Sequence, residues 1–264
     1  MNNMNKNTKA WFQNGRTSEQ VELKMFCFPY AGGTALVFNK WADHLPSTVQ
    51  VISVELPGRG VRLRESAHIS LPALIDELEE MIWPLLDKPF VFFGHSMGAL
   101  IAFELARALR RKYDHEPRAL FVSGRRAPQT PNNEPVTYNL PHDEFIEELI
   151  KMDGTPKEVI ENAELMEVMI PLLRADFQLV QTYEYLSDTP LRCPITIYGG
   201  LQDHHIPREL LLPWKDLTSS RCWVHMLPGD HFFIRSSQAQ LLKLLAHELQ
   251  EIMIYSRANS AYHR

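Results

Sequence analysis

Short apolar runs alternate along the chain with longer segments in which apolar residues recur every three or four positions. Several of the short runs are apolar at successive positions, which is typical of parallel strands covered on both faces. The pattern predicts strands over 22–28, 49–55, 90–93, 120–123, 195–198 and 223–227. It predicts helices over 71–86, 99–112 and 238–254. Strands that alternate with helices indicate an α/β fold with a mostly parallel, doubly wound sheet.

The alternation stops between residues 128 and 187, where helical signals dominate and no strand is evident. Residues 155–158 (Thr-Pro-Lys-Glu) have the pattern of a capping box, and Asn162 can cap a second helix in which Pro171 should cause a kink. The apolar side of that second helix would carry Leu165, Met169, Leu172, Leu173 and Val180. We interpret the segment as a helical lid inserted over the sheet; the alternative is a continuous part of the core.

Both ends of the chain are polar. Residues 1–20 are rich in Asn and lack the apolar core of a signal peptide, and residues 256–264 are expected to form a disordered tail. A single domain over 21–255 would remain between these tails. No segment approaches the ~18 consecutive apolar residues of a membrane helix. We therefore expect a cytoplasmic protein that does not associate with membranes.

Charge and cysteine content exclude further classes. The net charge of −5, without a basic run, argues against nucleic acid as a partner. The three cysteines stand in apolar, strand-like stretches without metal-ligand spacing. Free thiols in a reducing compartment explain them better than a metal site.

One motif carries chemistry. Gly94-His95-Ser96-Met97-Gly98 matches G-x-S-x-G, and it lies between a predicted strand and a predicted helix. In that context the serine sits on a sharp turn that exposes its hydroxyl at a helix N-terminus. Ser96 is therefore the predicted nucleophile of a hydrolase. The side chain of His95, the residue before it, is expected to point away from the catalytic face.

A serine nucleophile needs a base and an acid that orients the base, and in this architecture they follow in the order Ser, acid, His. Asp203 and His231 each follow a predicted strand, so both should lie at the same carboxyl edge of the sheet as Ser96. Asp230 is the alternative acid, although it adjoins His231. The other histidines, among them His204, His205, His225 and His247, lie on the wrong loop, inside a strand or on the last helix.

Two backbone N–H groups should hold the oxyanion. Met97 follows the nucleophile and supplies one. The second should come from the loop Phe28-Pro29-Tyr30-Ala31-Gly32-Gly33, where Ala31 is favoured over Tyr30. A phosphate-binding loop is the rival interpretation, but the glycine spacing and the lysine of such loops are absent from it.

These motifs together resemble a known family. The loop at 28–33, Leu56-Pro57-Gly58-Arg59-Gly60, the serine motif, residues 172–177 (Leu-Leu-Arg-Ala-Asp-Phe) and residues 228–233 (Pro-Gly-Asp-His-Phe-Phe) are similar, in order, to the signatures of type II thioesterases. These are α/β-hydrolases that edit nonribosomal peptide and polyketide synthesis, and the medium-chain fatty acyl thioesterase is similar. The likeness covers roughly residues 21 to 254.

The resemblance implies a function. Ser96, Asp203 and His231 would be the triad, and Ala31 and Met97 the oxyanion donors. The enzyme would hydrolyse stalled acyl groups from the phosphopantetheine arm of acyl or peptidyl carrier proteins, its transient partners. It would act as a monomer without a metal or other cofactor. A carboxylesterase, an acyltransferase and a chain-terminating medium-chain thioesterase use the same triad and remain alternatives, as does a binding protein on an inactive hydrolase scaffold.

Overall fold

A computed structural model describes residues 6–15, 20–132, 134–152 and 162–262. Its sheet has seven strands in the order β1-β3-β2-β4-β5-β6-β7, and every neighbouring pair is parallel except β1 and β3. The strands are β1 Phe12–Asn14, β2 Leu23–Phe28, β3 Val49–Val54, β4 Phe90–His95, β5 Leu120–Ser123, β6 Ile195–Gly200 and β7 Cys222–Leu227. The six predicted strands are confirmed, and so is the mostly parallel α/β sheet.

Helices cover both faces of this sheet. The α-helices are α1 Lys6–Trp11, α2 Leu71–Ile82, α3 Met97–Tyr113, α4 His142–Lys151, α5 Ala163–Gln181, α6 Arg208–Leu211, α7 Phe233–Ser236 and α8 Gln238–Tyr262. Short 3-10 helices occupy Ala35–Phe38, Trp41–Asp43, Gly60–Arg62, Trp83–Leu85 and Leu212–Leu217. The predicted helix 71–86 is thus α2 followed by a 3-10 turn at Pro84.

The central strand β4 divides the core into two layers. Phe90 and Phe92 belong to the cluster beneath α2 and α3, whereas Val91 and Phe93 belong to the cluster beneath α8. Successive side chains of a strand point to opposite faces, so an apolar run is what a strand covered on both sides requires. The continuous apolar run that predicted this strand is explained by these two layers.

The N-terminal residues were mispredicted. A polar tail was expected over 1–20, but β1 pairs with β3 and extends the sheet, and Trp11 and Phe12 are buried. The Arg62 guanidinium stacks on the Trp11 ring at 3.7 Å, and Gln13 donates a hydrogen bond to Glu55. Three residues paired along the edge of a sheet leave too short a pattern to be recognised in the sequence.

The C-terminal prediction is also wrong. Residues 256–264 were expected to be disordered, but α8 continues to Tyr262. Arg257 on this extension forms an ion pair with Glu22 at the start of the domain. No helix in the described ranges is long and apolar enough to cross a membrane.

Among its described residues, the predicted insertion contains the helices α4 and α5. Phe145 of α4 packs with Met166, Ile170 and Leu173 of α5 in a small cluster separate from the two main layers. Asn162 caps α5 by accepting a hydrogen bond from the N–H of Leu165, as expected. The apolar stripe differs in one respect, because Leu165 is exposed and Met166 is buried in its place. The predicted capping box at 155–158 lies outside the described residues.

Candidate active site

Ser96 lies at a strained turn between β4 and α3. Its φ of 52° and ψ of −114° are rare for a residue with a side chain, and such strain persists only where the surrounding structure enforces it. The Ser96 N–H donates to the carbonyl of Ser123 on β5 at 2.8 Å, which fixes the turn to the neighbouring strand. The serine is thus held at the carboxyl edge of the sheet, at the N-terminus of α3.

Two glycines make this turn sterically possible. A Cβ on Gly94 would lie 2.1 Å from the carbonyl oxygen of Gly98, and a Cβ on Gly98 would lie 2.0 Å from the carbonyl oxygen of Phe28. Both distances are far below van der Waals contact. The two glycines of the motif are therefore required by the close approach of α3 to β4 and to the end of β2.

Asp203 and His231 lie at the same edge and are hydrogen bonded. The Nδ1 of His231 is 2.7 Å from the Oδ2 of Asp203, whose carboxylate is buried. The other oxygen, Oδ1, accepts from the backbone N–H groups of His205 and Ile206 at 3.1 and 2.9 Å. The pair leaves the Nε2 of His231 as the ring nitrogen available to a substrate or to Ser96.

The electrostatics of Asp203 favour its ionised form. Burial alone would raise the pKa of Asp203, but the hydrogen bond and charge of His231 and the two N–H donors outweigh it and bring the pKa below its ordinary value. An ionised acid at this position can hold the His231 imidazole in the tautomer with a proton on Nδ1.

Of the rival residues, His205 lines the cavity that contains Ser96, and the others do not. Asp230 is exposed, and its Oδ1 accepts from the Phe232 N–H at 2.7 Å rather than facing His231. His225 pairs with Glu248 at 3.5 Å, and His247 is exposed on α8. The geometry therefore favours Asp203 over Asp230 as the orienting acid.

His95 differs from expectation in one respect. It does not line the cavity that contains Ser96, but its buried ring packs 5.3 Å from the His231 ring, between centroids. Its Nδ1 is 2.8 Å from the Oγ of Ser123. Burial, followed by the nearby charge of His231, lowers the pKa of His95 well below its ordinary value. The neutral His95 ring thus packs against the His231 ring.

The loop after β2 borders the same cavity as the serine. Gly33 N–H donates to the Tyr30 carbonyl at 2.8 Å, and Gly32 has a φ of 72°, so the chain reverses sharply after Ala31. The N–H of Met97 lies in the first turn of α3, where no intrahelical acceptor exists. Ala31 and Met97 line the same cavity as Ser96.

A buried ion pair ties this loop to the lid. The carboxylate of Asp176 on α5 accepts two hydrogen bonds from the Arg59 guanidinium, at 2.7 and 2.9 Å, and one from the Gly32 N–H at 2.7 Å. Arg59 also donates to the Gly33 carbonyl at 3.2 Å. Both side chains of the pair are at most 3% exposed. The lid helix thereby fixes the residue next to Ala31.

These groups converge on a cavity of about 380 Å³ between the sheet edge and the lid. Its floor includes Ser96, Met97 and His231, and its roof includes Leu173 and Val180 of α5. Within the described ranges no cluster of three or more His, Cys, Asp or Glu side chains is arranged to hold a metal ion. The arrangement provides a nucleophile, a base with its orienting acid, and N–H donors around one cavity, which suits acyl transfer.

Sequence reasoning missed two kinds of residue. For Asp176 a helix-capping or packing role is favoured over a functional one from sequence, and Arg59 is only part of a motif; their pairing joins positions 117 residues apart, which no local pattern indicates. Arg125, which follows β5 and also lines the cavity, was not noticed. A charged residue just beyond a parallel strand was the available signal for Arg125.

Comparison with known proteins identifies a family model and relatives that are similar to this chain. The sequence model of the thioesterase domain family matches residues 23–249. The chain is 41% identical over 243 residues to the gramicidin S biosynthesis protein GrsT of Aneurinibacillus migulanus, covering 92% of this chain and 95% of that protein. It is 36% identical over 215 residues to the medium-chain S-acyl fatty acid synthase thioesterase of Rattus norvegicus, covering 80% and 81%.

A solved structure gives the same result. RedJ, a thioesterase from the prodiginine biosynthetic pathway of Streptomyces coelicolor, superimposes with a TM-score of 0.81 at 35% identity, covering 86% of each chain. Similarity thus extends over most of the domain, from β2 to α8.

Proposed function

The chain belongs to the thioesterase family, and we propose that it hydrolyses acyl groups from the phosphopantetheine arm of carrier proteins in nonribosomal peptide or polyketide synthesis. One observation carries the catalytic part of the proposal. Ser96 at its strained turn and His231, which is hydrogen bonded to Asp203, border a single cavity. The relatives in peptide and prodiginine biosynthesis support the carrier-bound substrate.

In the proposed acylation step, the Oγ of Ser96 attacks the thioester carbonyl carbon while Nε2 of His231 takes the hydroxyl proton. The tetrahedral oxyanion accepts hydrogen bonds from the N–H groups of Ala31 and Met97. Collapse breaks the carbon–sulfur bond, and the imidazolium gives its proton to the leaving sulfur, which departs as the thiol. Asp203 stabilises the imidazolium throughout without taking a proton.

Deacylation repeats the sequence with water. His231 takes a proton from water as the water oxygen attacks the acyl-Ser96 carbonyl, and it then protonates the Ser96 oxygen as the carboxylic acid leaves. Every step uses groups of this chain and water, so the proposal requires no cofactor. The proposed enzyme is a cytoplasmic monomer that contacts its carrier proteins transiently.

The lid supplies the substrate side of the proposal. Apolar side chains of α5, including Leu173 and Val180, face Ser96 across the cavity and suit an acyl chain. Contacts between the carrier protein and the enzyme surface would add binding energy remote from the reacting carbonyl, and such energy can position it.

A matched substrate series tests the proposal. One hexanoyl group is presented on a carrier protein, on coenzyme A and on N-acetylcysteamine, and kcat/KM is measured for each. We expect the carrier-bound form to be hydrolysed most efficiently. Equal kcat/KM values on all three would contradict a carrier-protein substrate. A p-nitrophenyl ester hydrolysed faster than every thioester would favour a carboxylesterase, and acyl transfer to an added alcohol would favour an acyltransferase.

A further inference from the structure

Arg125 differs from the other charged side chains around the cavity. Arg126 pairs with Glu134 at 2.6 Å, Lys151 pairs with Glu148 at 2.6 Å, and Asp176 pairs with Arg59. In the part of the chain that the structure describes, Arg125 has no ion pair, and its Nε is shielded from solvent without an acceptor. Among the described residues the cavity therefore contains one arginine without an ion-pair partner, although the nearby Glu134 carboxylate partly offsets its charge.

The Arg125 backbone is fixed on both sides. Gly124 N–H donates to the Tyr198 carbonyl at 2.9 Å, and the Arg125 carbonyl accepts from the Trp214 indole at 2.8 Å. Ala127 N–H donates to the Leu210 carbonyl at 3.0 Å. The guanidinium is thus presented from a rigid segment, as a prepared binding group would be.

Arg125 also lies close to the nucleophile. Ser96 is hydrogen bonded to Ser123, and the two residues from Ser123 to Arg125 span at most about 7 Å. Both Ser96 and Arg125 line the cavity. A substrate joined to the Ser96 oxygen, or positioned for attack by it, can therefore also contact the guanidinium.

A shielded guanidinium nitrogen without an acceptor is unfavourable. Burial, followed by the like charge of Arg126, lowers the pKa of Arg125 to about 10, so the group is still a cation at neutral pH. Guanidinium groups bind carboxylate and phosphate oxygens through paired, charge-assisted hydrogen bonds. An anionic group of the substrate would give this guanidinium a counter-charge and hydrogen-bond acceptors.

We propose that Arg125 forms an anion subsite of the active-site cavity, which binds a negatively charged oxygen group of the thioester substrate. Two parts of the substrate have this chemistry: a carboxylate on the acyl chain, and the phosphate of the pantetheine arm. The proposal rests on the function proposed above, because it assigns a specificity-determining role within that same site.

Two matched pairs of thioesters distinguish the sources. Hexanoyl and adipoyl N-acetylcysteamine differ by a terminal carboxylate, and hexanoyl-pantetheine and hexanoyl-4′-phosphopantetheine differ by the phosphate. The kcat/KM of each is measured for the wild type and for Arg125→Gln. For each pair we compare the kcat/KM of the anionic substrate with that of the neutral one. We expect Arg125→Gln to reduce this ratio about 10- to 100-fold in one pair, as the loss of a hydrogen bond between charged groups would. The change should arise mainly through KM.

The pair that changes identifies the bound group. Arg118→Gln is the matched control, since Arg118 is exposed and lies before β5, at the opposite edge of the sheet. It should leave both ratios unchanged. Arg125→Lys keeps the charge but loses the planar fork, so it should retain part of the preference, and it provides the test if the glutamine variant does not fold.

The proposal is overturned if Arg125→Gln, or Arg125→Lys where only that variant folds, leaves both ratios at the wild-type value. This result differs from failure of the thioesterase function itself. If the proposed thioesterase function were wrong, the wild type would hydrolyse none of the four substrates.

Discussion

Removal of the Asp176 carboxylate should affect both stability and catalysis. In Asp176→Ala the Arg59 guanidinium stays buried without a counter-charge, and the Gly32 N–H loses its acceptor. Breaking a buried ion pair by deleting one partner costs about 3–5 kcal/mol, and we expect a loss in this range in the free energy of unfolding measured with urea. Arg257→Ala is the control, because its exposed pair with Glu22 should contribute less than about 1 kcal/mol.

A double variant separates the two effects. In Arg59→Met/Asp176→Leu the buried charges are gone, so at least half of the lost stability should return. The Gly32 N–H still lacks its acceptor, and a loop displaced by about 1 Å can lower the rate up to about 100-fold. We therefore expect kcat to stay low in the double variant. A double variant with wild-type kcat would refute the inference that Asp176 positions the Ala31 loop.

Three further outcomes follow from the geometry. Asp203→Asn should lower kcat by about 10⁴, since the wrong imidazole tautomer is favoured, while Asp230→Asn should change it only a few-fold; similar losses would contradict the choice of acid. Because the pKa of Asp203 is lowered, its ionised form stabilises the fold above about pH 4, and this stabilisation is lost as the pH falls further. The free energy of unfolding, measured with urea at several pH values, should therefore fall more steeply between about pH 5 and pH 2 in the wild type than in Asp203→Asn. Equal dependence on pH in the two proteins would contradict the lowered pKa of Asp203. Gly98→Ala should abolish activity or folding, because its Cβ would lie 2.0 Å from the Phe28 carbonyl oxygen. Gly15→Ala is the control: its Cβ would have its nearest contacts at 3.4 Å, so the circular dichroism spectrum and the activity should both be retained.

The parts of the site that sequence could predict are those with local signals. Ser96 lies in a short motif between a strand and a helix, and Asp203 and His231 each lie within a few residues of the end of a strand. Parallel strands end at one edge of a sheet, so their loops meet without any knowledge of the tertiary structure. That rule was sufficient to bring three residues from distant positions to one place.

Contacts between distant segments could not be predicted in this way. The pairing of Arg59 with Asp176 depends on how the lid packs on the loops, and neither residue has a neighbouring pattern that names its partner. The edge strand β1 is only three residues long, and its burial depends on Trp11 and Phe12 packing under α2. In both cases tertiary packing decides the structure, and local pattern does not.

The most direct test of the central claim is the site of the covalent acyl group. The enzyme is mixed with hexanoyl-coenzyme A, quenched in acid within one turnover and digested, and the peptides are analysed by mass spectrometry. We predict a hexanoyl ester on Ser96 that is absent from folded Ser96→Ala, which should lose all but the residual catalysis of binding and the oxyanion donors. An acyl group on another residue, or continued hydrolysis by Ser96→Ala near the wild-type rate, would contradict the account.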